Sequence, residues 1–140
     1  MDNVAPLEAF KHEPLADSTI QIRLLEVLEG GHGTSVKCRL MACSVQTAPP
    51  YYAVSYTWGD PALCTQITVN DKGLSIRRNC ERALRQAYAS EASRLFWIDA
   101  ICIDQTSTQE KNHQVAMMGR IYAQAAHVFA CVGPHADGSE

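Results

Sequence analysis

Residues that could bind a ligand follow two apolar runs of this 140-residue chain. They are Ser55, Tyr56, Trp58, Gly59 and Asp60 after the first run, and Asp99 and Asp104 after the second. In open α/β sheets, ligands bind beyond the carboxyl ends of the strands. For a nucleotide, Gly59 permits close backbone approach and Trp58 offers an aromatic face. Asp60 and Asp99 are carboxylates that could hold ribose hydroxyls, so the set predicts a nucleotide-binding site.

Each of these residues also has a purely structural interpretation. Trp58 can pack under the rim of a sheet, and Asp60 before a proline is typical of a turn. Asp99 can cap a short helical turn over residues 100–103. The sequence leaves both interpretations open at these positions.

Three further residues have side chains that could react. Glu110 is a candidate catalytic carboxylate, but Ser107 precedes it by three positions, and Ser-x-x-Glu is typical of a capping box that opens a helix. His113 has the right type for a general base. The sequence pairs no nucleophile with it, and we expect it to be exposed on the helix. Cys102 lies among apolar neighbours, which raise the pKa of a thiol and disfavour a nucleophile.

The first part of the chain has the pattern of a β-hairpin. Apolar residues alternate with others over residues 19–28 and again over 36–41. Three glycines within residues 30–33 predict the turn between them. We therefore expect an N-terminal β-hairpin.

From residue 52 onward, predicted strands and helices alternate. The strands are expected at 52–56, 66–69, 73–76, 95–98 and 128–132. Helical spacing predicts a helix over 79–89 with Cys80, Ala83, Leu84, Ala87 and Tyr88 on one face. The Ser107 cap opens a second helix with an inner face of Val115, Met118, Tyr122 and Ala125. This alternation predicts an α/β fold, a parallel sheet flanked by helices.

Composition limits the class of protein. With 46% hydrophobic and 19% charged residues, the chain is expected to form one globular domain over 19–134, between an irregular lead-in (1–18) and a loose tail (135–140). A net charge of −3 without long basic runs disfavours nucleic-acid binding. No apolar stretch approaches the roughly 20 residues of a membrane span, and no signal peptide is recognisable, so we expect a cytoplasmic protein.

The six cysteines do not form a recognisable metal or redox motif. They lack a Cys-x-x-Cys pair, and no His lies at a zinc-like spacing from a Cys pair. We expect reduced, buried thiols and no metal site.

Three segments carry a resemblance to a known family. They are Arg23-Leu24-Leu25-Glu26-Val27, Tyr52-Ala53-Val54-Ser55-Tyr56-Thr57-Trp58-Gly59-Asp60 and Leu95-Phe96-Trp97-Ile98-Asp99-Ala100-Ile101-Cys102-Ile103-Asp104-Gln105, the last continuing to Ala125. In this order they resemble the fungal heterokaryon incompatibility (HET) domain over about residues 20–133. One departure is Asp104, where the family usually has Asn.

The resemblance implies a fold distantly similar to TIR domains, which have a parallel sheet. Some TIR domains cleave NAD with a glutamate that follows the third parallel strand, and HET domains have a Trp-x-x-Gln-Glu segment there. The 140 residues do not contain this segment, and Glu140 has no Trp before it. We therefore carry no role onto Glu140. The missing segment counts against NAD cleavage by this chain, with NAD still a possible substrate.

The resemblance also implies a function. HET-type modules act in fungal self/non-self recognition and programmed cell death, through association with themselves or with a sensor protein. The alternatives are an NAD-cleaving TIR-like enzyme and a non-catalytic decoy or regulator of full-length HET proteins. A strand at 128–132 near a sheet edge would recruit partners, so we expect a dimer or larger species. A redox protein that uses Cys102 is the least favoured alternative.

Overall fold

The computed structural model describes residues 8–31, 33–57, 60, 62–91 and 94–131. The described chain forms β1 (Gln21–Glu29), β2 (Lys37–Ser44), β3 (Tyr52–Tyr56), β4 (Cys64–Val69), β5 (Lys72–Arg77), α1 (Arg78–Ser90), β6 (Leu95–Trp97), α2 (Asp99–Cys102), α3 (Thr108–Gln124) and β7 (His127–Cys131). The strands form one sheet in the order β5-β4-β2-β1-β6-β3-β7. β1 therefore lies at the centre of the described sheet, and β7 lies at one end.

The predicted N-terminal hairpin is confirmed. β1 and β2 pair antiparallel from Gln21 opposite Ser44 to Glu29 opposite Lys37. Further strands flank both members, so the hairpin is part of the main sheet. Adjacent residues near the centre of β1 are fully buried, among them Ile22, Leu24 and Leu25. Both faces of β1 are therefore covered, as befits a central strand.

β4 and β5 form the second predicted hairpin. Its turn residues Asn70 and Asp71 have φ values of 52° and 66°, the positive values that a two-residue type I′ turn requires. The strands are longer than predicted because their pairing continues to Cys64 opposite Arg77. A short parallel pairing of β4 with β2 joins this hairpin to the rest of the sheet.

The expectation of a parallel sheet holds for only some of the strand pairs, among them β2 with β4. β3 pairs in parallel with both β6 and β7. β1 pairs antiparallel with β2 and β6, and β4 pairs antiparallel with β5. The sheet is therefore mixed, and its longest ladders are antiparallel. Short turns suffice to join antiparallel neighbours, whereas parallel neighbours need a crossover such as α1 or α3.

α1 confirms the helical spacing predicted over 79–89. Its buried residues are Cys80, Ala83, Leu84 and Ala87. Tyr88, predicted on the same face, is 37% exposed. Its ring instead covers Gly30, where an added Cβ would lie 3.1 Å from the ring. Arg85 donates hydrogen bonds to two carbonyls of the β1–β2 loop, each at 2.7 Å, and so ties this loop to α1.

α3 begins where the sequence predicts, but one predicted core position is wrong. Ser107 caps the helix, since its Oγ accepts a hydrogen bond from the N–H of Glu110 at 3.3 Å. Val115 is 51% exposed, whereas Glu110, Gln114 and Ile121 are buried. The remaining predicted members pack partly buried against the core: Met118, Tyr122 and Ala125. Two of the three buried positions are polar, and apolar periodicity does not detect them.

Candidate functional site

One candidate site lies where β3 and β6 end. These strands are parallel neighbours. Tyr56 at the end of β3 and Asp99, which begins α2 after β6, come close enough to influence each other electrostatically. Cys80 of α1 and Tyr122 of α3 also lie close enough to Asp99 to interact with it electrostatically. We call Tyr56, Cys80, Asp99 and Tyr122 the sheet-end cluster.

Burial dominates the electrostatics of the sheet-end cluster. It raises the pKa of Asp99, although backbone N–H groups donate to the carboxylate. Burial likewise raises the pKa of Tyr56, and it raises the pKa of the Cys80 thiol to about 12. In the described chain, no basic side chain forms an ion pair with Asp99. The side chains of the cluster are therefore better suited to act as neutral hydrogen-bonding groups than as nucleophiles.

The structure brings together only part of the predicted ligand site. Tyr56 and Asp99 meet, but Ser55 is exposed on the sheet. Asp60 is also exposed, and its carboxylate accepts a hydrogen bond from the N–H two residues later at 2.9 Å, as in a turn. Trp58 and Gly59 lie outside the described residues. A nucleotide site at these positions stays a prediction.

Glu110, the catalytic candidate, forms a buried ion pair. Arg23 donates to both carboxylate oxygens of Glu110, at 2.6 and 2.9 Å, and the two side chains are 4% and 7% exposed. The N–H of Asp104 donates to the same carboxylate at 2.8 Å. Arg23 also donates to the carbonyls of Glu13, at 2.7 Å, and Cys102, at 3.0 Å. We call Glu13, Arg23, Asp104 and Glu110 the Arg23 lock.

The predicted capping box forms only in part, because Ser107 caps the helix but the side chain of Glu110 pairs with Arg23. The carboxylate of Glu110 does not reach back to the N–H of Ser107, which donates to the carbonyl of Asp104 instead. Burial raises the pKa of Glu110, but the hydrogen bonds from Arg23 and Asp104 outweigh it and hold the pKa below its ordinary value of 4.5. Glu110 is therefore ionised with both oxygens engaged, which suits a structural role.

The described part of the lead-in is irregular, and it is tied to the Arg23 lock. His12 lies 2.7 Å from the carbonyl of Ile101 through Nε2, and its Nδ1 lies 3.8 Å from the carboxylate of Asp104. Asp104 also accepts hydrogen bonds from the N–H and hydroxyl of Thr106, at 3.0 and 2.6 Å. Burial raises the pKa of Asp104, but these bonds outweigh it and lower the pKa. Asp104 thus belongs to the lock and a local turn.

Most of the described cysteines behave as buried hydrophobic residues. Burial raises the thiol pKa of Cys38, Cys80 and Cys102 to about 12. Thiolates are therefore scarce at these positions at neutral pH, which agrees with the prediction that Cys102 is no nucleophile. Cys64, in contrast, is exposed. Within the described ranges, no group of three His, Cys, Asp or Glu side chains could hold a metal ion.

Sequence reasoning missed two buried polar residues. Arg23 is 3% exposed, and Gln114 is fully buried with its Nε2 donating to the carbonyls of Ser18, at 3.0 Å, and Gln21, at 2.8 Å. The sequence contains only a weak indication that these two residues are buried. Arg23 lies in a strand with alternating apolar residues, and Gln114 is next to Val115, which was the predicted core residue. Their partners lie far away in sequence.

Comparison with known proteins establishes the family. The model of the family described as Heterokaryon incompatibility protein (HET) matches residues 51–140. The chain belongs to the HET family, and the resemblance seen in the sequence is confirmed. The sheet-end cluster lies inside the matched range, whereas Arg23 precedes it.

One relative extends the similarity to nearly the whole chain. Heterokaryon incompatibility protein 6, OR allele, of Neurospora crassa is 32% identical over 154 aligned positions. The alignment covers 99% of this chain and 23% of the relative, so the chain spans about a quarter of that protein's length. No solved structure matches the chain. Among the described helices, none has both the length and the apolar character to cross a membrane.

Proposed function

We propose that the chain is a module of fungal incompatibility, which acts in the cytoplasm in self/non-self recognition and programmed cell death. The observation that carries this proposal is the family match over residues 51–140. The Neurospora crassa relative supports it, because its name refers to heterokaryon incompatibility. The mode of action we propose is association with another protein, either a second copy of the chain or a sensor protein.

β7 is the surface we favour for this association. It is the last strand of the described sheet and pairs with β3 along one side. Its Val128 side chain is 42% exposed. A strand at the end of a sheet presents backbone groups that can pair with a strand of another chain.

Expression of the chain in fungal hyphae tests the proposal. We expect it to kill hyphal compartments, measured by uptake of a vital dye. Val128→Lys should suppress both killing and self-association, the latter measured by light scattering. Val115→Lys is the matched control, because Val115 is an exposed valine on α3. Equal killing by all three forms contradicts association through β7, and no killing by the parent chain contradicts the incompatibility module.

The sheet-end cluster favours a second candidate function, the binding or cleavage of NAD by a TIR-like sheet. β6, β3 and β7 are parallel neighbours, and ligands of such sheets bind beyond the carboxyl ends of the strands. Asp99 and Tyr56 lie at these ends. Asp99 is a carboxylate without an ionic partner among the described side chains, and carboxylates of this kind hold ribose hydroxyls.

Calorimetric titration with NAD, together with an assay of nicotinamide release, tests this second candidate. Asp99→Ala should weaken NAD binding at least tenfold, whereas Glu29→Ala, which changes an exposed acid of β1, should leave it unaltered. A purified chain that neither binds nor consumes NAD removes this candidate. That result would leave the incompatibility module standing, since cell death through association needs no NAD.

A further inference from the structure

Ser18 and His113 form a hydrogen-bonded pair outside both the sheet-end cluster and β7. Ser18 Oγ lies 2.6 Å from His113 Nδ1, although the residues are 95 positions apart. Both are half-buried. A base within hydrogen-bond distance of a serine hydroxyl is the arrangement that activates serine as a nucleophile. The fold thus places a serine hydroxyl beside His113, for which the sequence offered no partner.

The pair opens into a cavity of about 260 Å³ at the start of α3. Ser107 and Gln109 line the cavity beside the pair. Ser107 accepts hydrogen bonds from the N–H groups of Glu110 and Lys111. The N–H groups of Thr108 and Gln109 donate to no described residue. Such N–H groups at a helix start can stabilise an oxyanion that forms nearby.

One neighbour positions the pair, and a second carries a negative charge near it. Gln114, which follows His113 on α3, donates to the backbone carbonyl of Ser18 at 3.0 Å, so one helix holds both partners. Asp17 precedes Ser18 and lies close to His113. Hydrogen bonds from Thr19 are the main cause that lowers the pKa of Asp17. The carboxylate of Asp17 is exposed, so it adds only a solvent-screened negative charge near the ring.

We propose that Ser18 and His113 are a nucleophile and general base for acyl transfer from small esters. With the ring proton on Nε2, Nδ1 takes the hydroxyl proton while Ser18 Oγ attacks the carbonyl carbon. The bond from that carbon to the leaving oxygen then breaks, and His113 returns the proton to this oxygen. Water hydrolyses the acyl-Ser18 ester, which releases the carboxylic acid and restores the serine hydroxyl.

A fluorophosphonate probe tests the nucleophile directly, because its phosphorus bonds to an activated serine Oγ as fluoride leaves. We expect the purified chain to be labelled at Ser18, located by peptide mass spectrometry. His113→Gln should slow labelling about 100-fold, in line with the loss of a general base. Ser75→Ala, which changes an exposed serine of β5, should label like the parent chain. Thermal unfolding of each variant verifies the fold.

A second variant keeps the test decisive if His113→Gln unfolds. In Ser18→Cys, the new thiol faces His113, and it should react with iodoacetamide at least tenfold faster than the exposed Cys64 of the same chain. Labelling of the parent chain at Ser18 that is lost in His113→Gln supports the pair. Absence of labelling at Ser18, labelling unaffected by His113→Gln, or equal alkylation of both thiols overturns it.

Discussion

Glu110 in the Arg23 lock and Asp99 in the sheet-end cluster are both carboxylates withdrawn from water, but their surroundings differ. Arg23 donates two hydrogen bonds to Glu110, and a backbone N–H adds a third. Asp99 has backbone N–H donors and no basic partner among the described side chains. The pKa therefore falls at Glu110, where hydrogen bonds outweigh burial, and rises at Asp99, where burial prevails.

The difference separates a structural carboxylate from one suited to a ligand. A buried ion pair with both carboxylate oxygens engaged joins β1 to α3 and leaves little capacity for further hydrogen bonds. A half-buried acid with a raised pKa, at the carboxyl ends of parallel strands, retains such capacity, and perturbed groups of this kind cluster at functional sites. The comparison therefore directs a ligand search to Asp99 and away from Glu110.

The largest effect is expected from Glu110→Ala. It leaves the Arg23 guanidinium buried without its counter-ion, which costs about 3–5 kcal/mol of unfolding free energy. The double variant Arg23→Met with Glu110→Leu removes both charges and should recover at least half of this loss. Urea unfolding monitored by circular dichroism measures both. If the single variant loses less than about 1 kcal/mol, the lock is not the buried pair described above.

The lock should also make stability depend on pH. Because the folded pKa of Glu110 lies below its ordinary value of 4.5, the stabilisation is fully present above 4.5 and is lost as pH falls through the folded pKa. The double variant should lack this acid-dependent loss. The same pH dependence in the parent and the double variant would show that other carboxylates cause it.

A smaller effect is expected from Gln114→Ala, one turn after Glu110 on α3. Two half-buried carbonyls lose their donor, which costs about 1–3 kcal/mol in unfolding free energy. The neighbouring change Val115→Ala removes an exposed side chain and should alter stability by no more than about 0.5 kcal/mol. Chemical unfolding of both variants provides the comparison. Equal losses would mean that α3 is rotated from the orientation described.

The smallest effect, of opposite sign, is expected from Asp99→Asn. The folded pKa of Asp99 is raised above its ordinary value of 3.8, so charging it opposes folding as pH rises through the folded pKa. Removal of the charge should therefore stabilise the chain at neutral pH, by up to about 1 kcal/mol. The gain should disappear below pH 3.8. Thermal unfolding at several pH values measures it, and destabilisation at neutral pH would contradict this view of the sheet-end cluster.

Local signals predicted most elements of the fold. The strand expected at 52–56 is β3, and the Ser107 cap opens α3 as expected. The turn glycines and the apolar alternation located the first hairpin. In the candidate site, the sequence located Tyr56 and Asp99 at the ends of two strands, and the structure brings these two residues together. The other two residues of the sheet-end cluster, Cys80 and Tyr122, lie on α1 and α3. No local sequence pattern shows where these helices pack against the sheet.

The sequence by itself determined the family, the succession of strands and helices along the chain, and the positions of the helix cap and the turns. These follow from residue period, turn chemistry and long matching segments, which are local properties of the chain. Only the tertiary structure decided how the strands are ordered within the sheet and that the sheet is mixed. It also decided the partner of Glu110 and the pairing of Ser18 with His113. Arg23 and Glu110 are 87 positions apart. Such contacts depend on how a complete core excludes water from charges and polar groups, and no short segment contains that information.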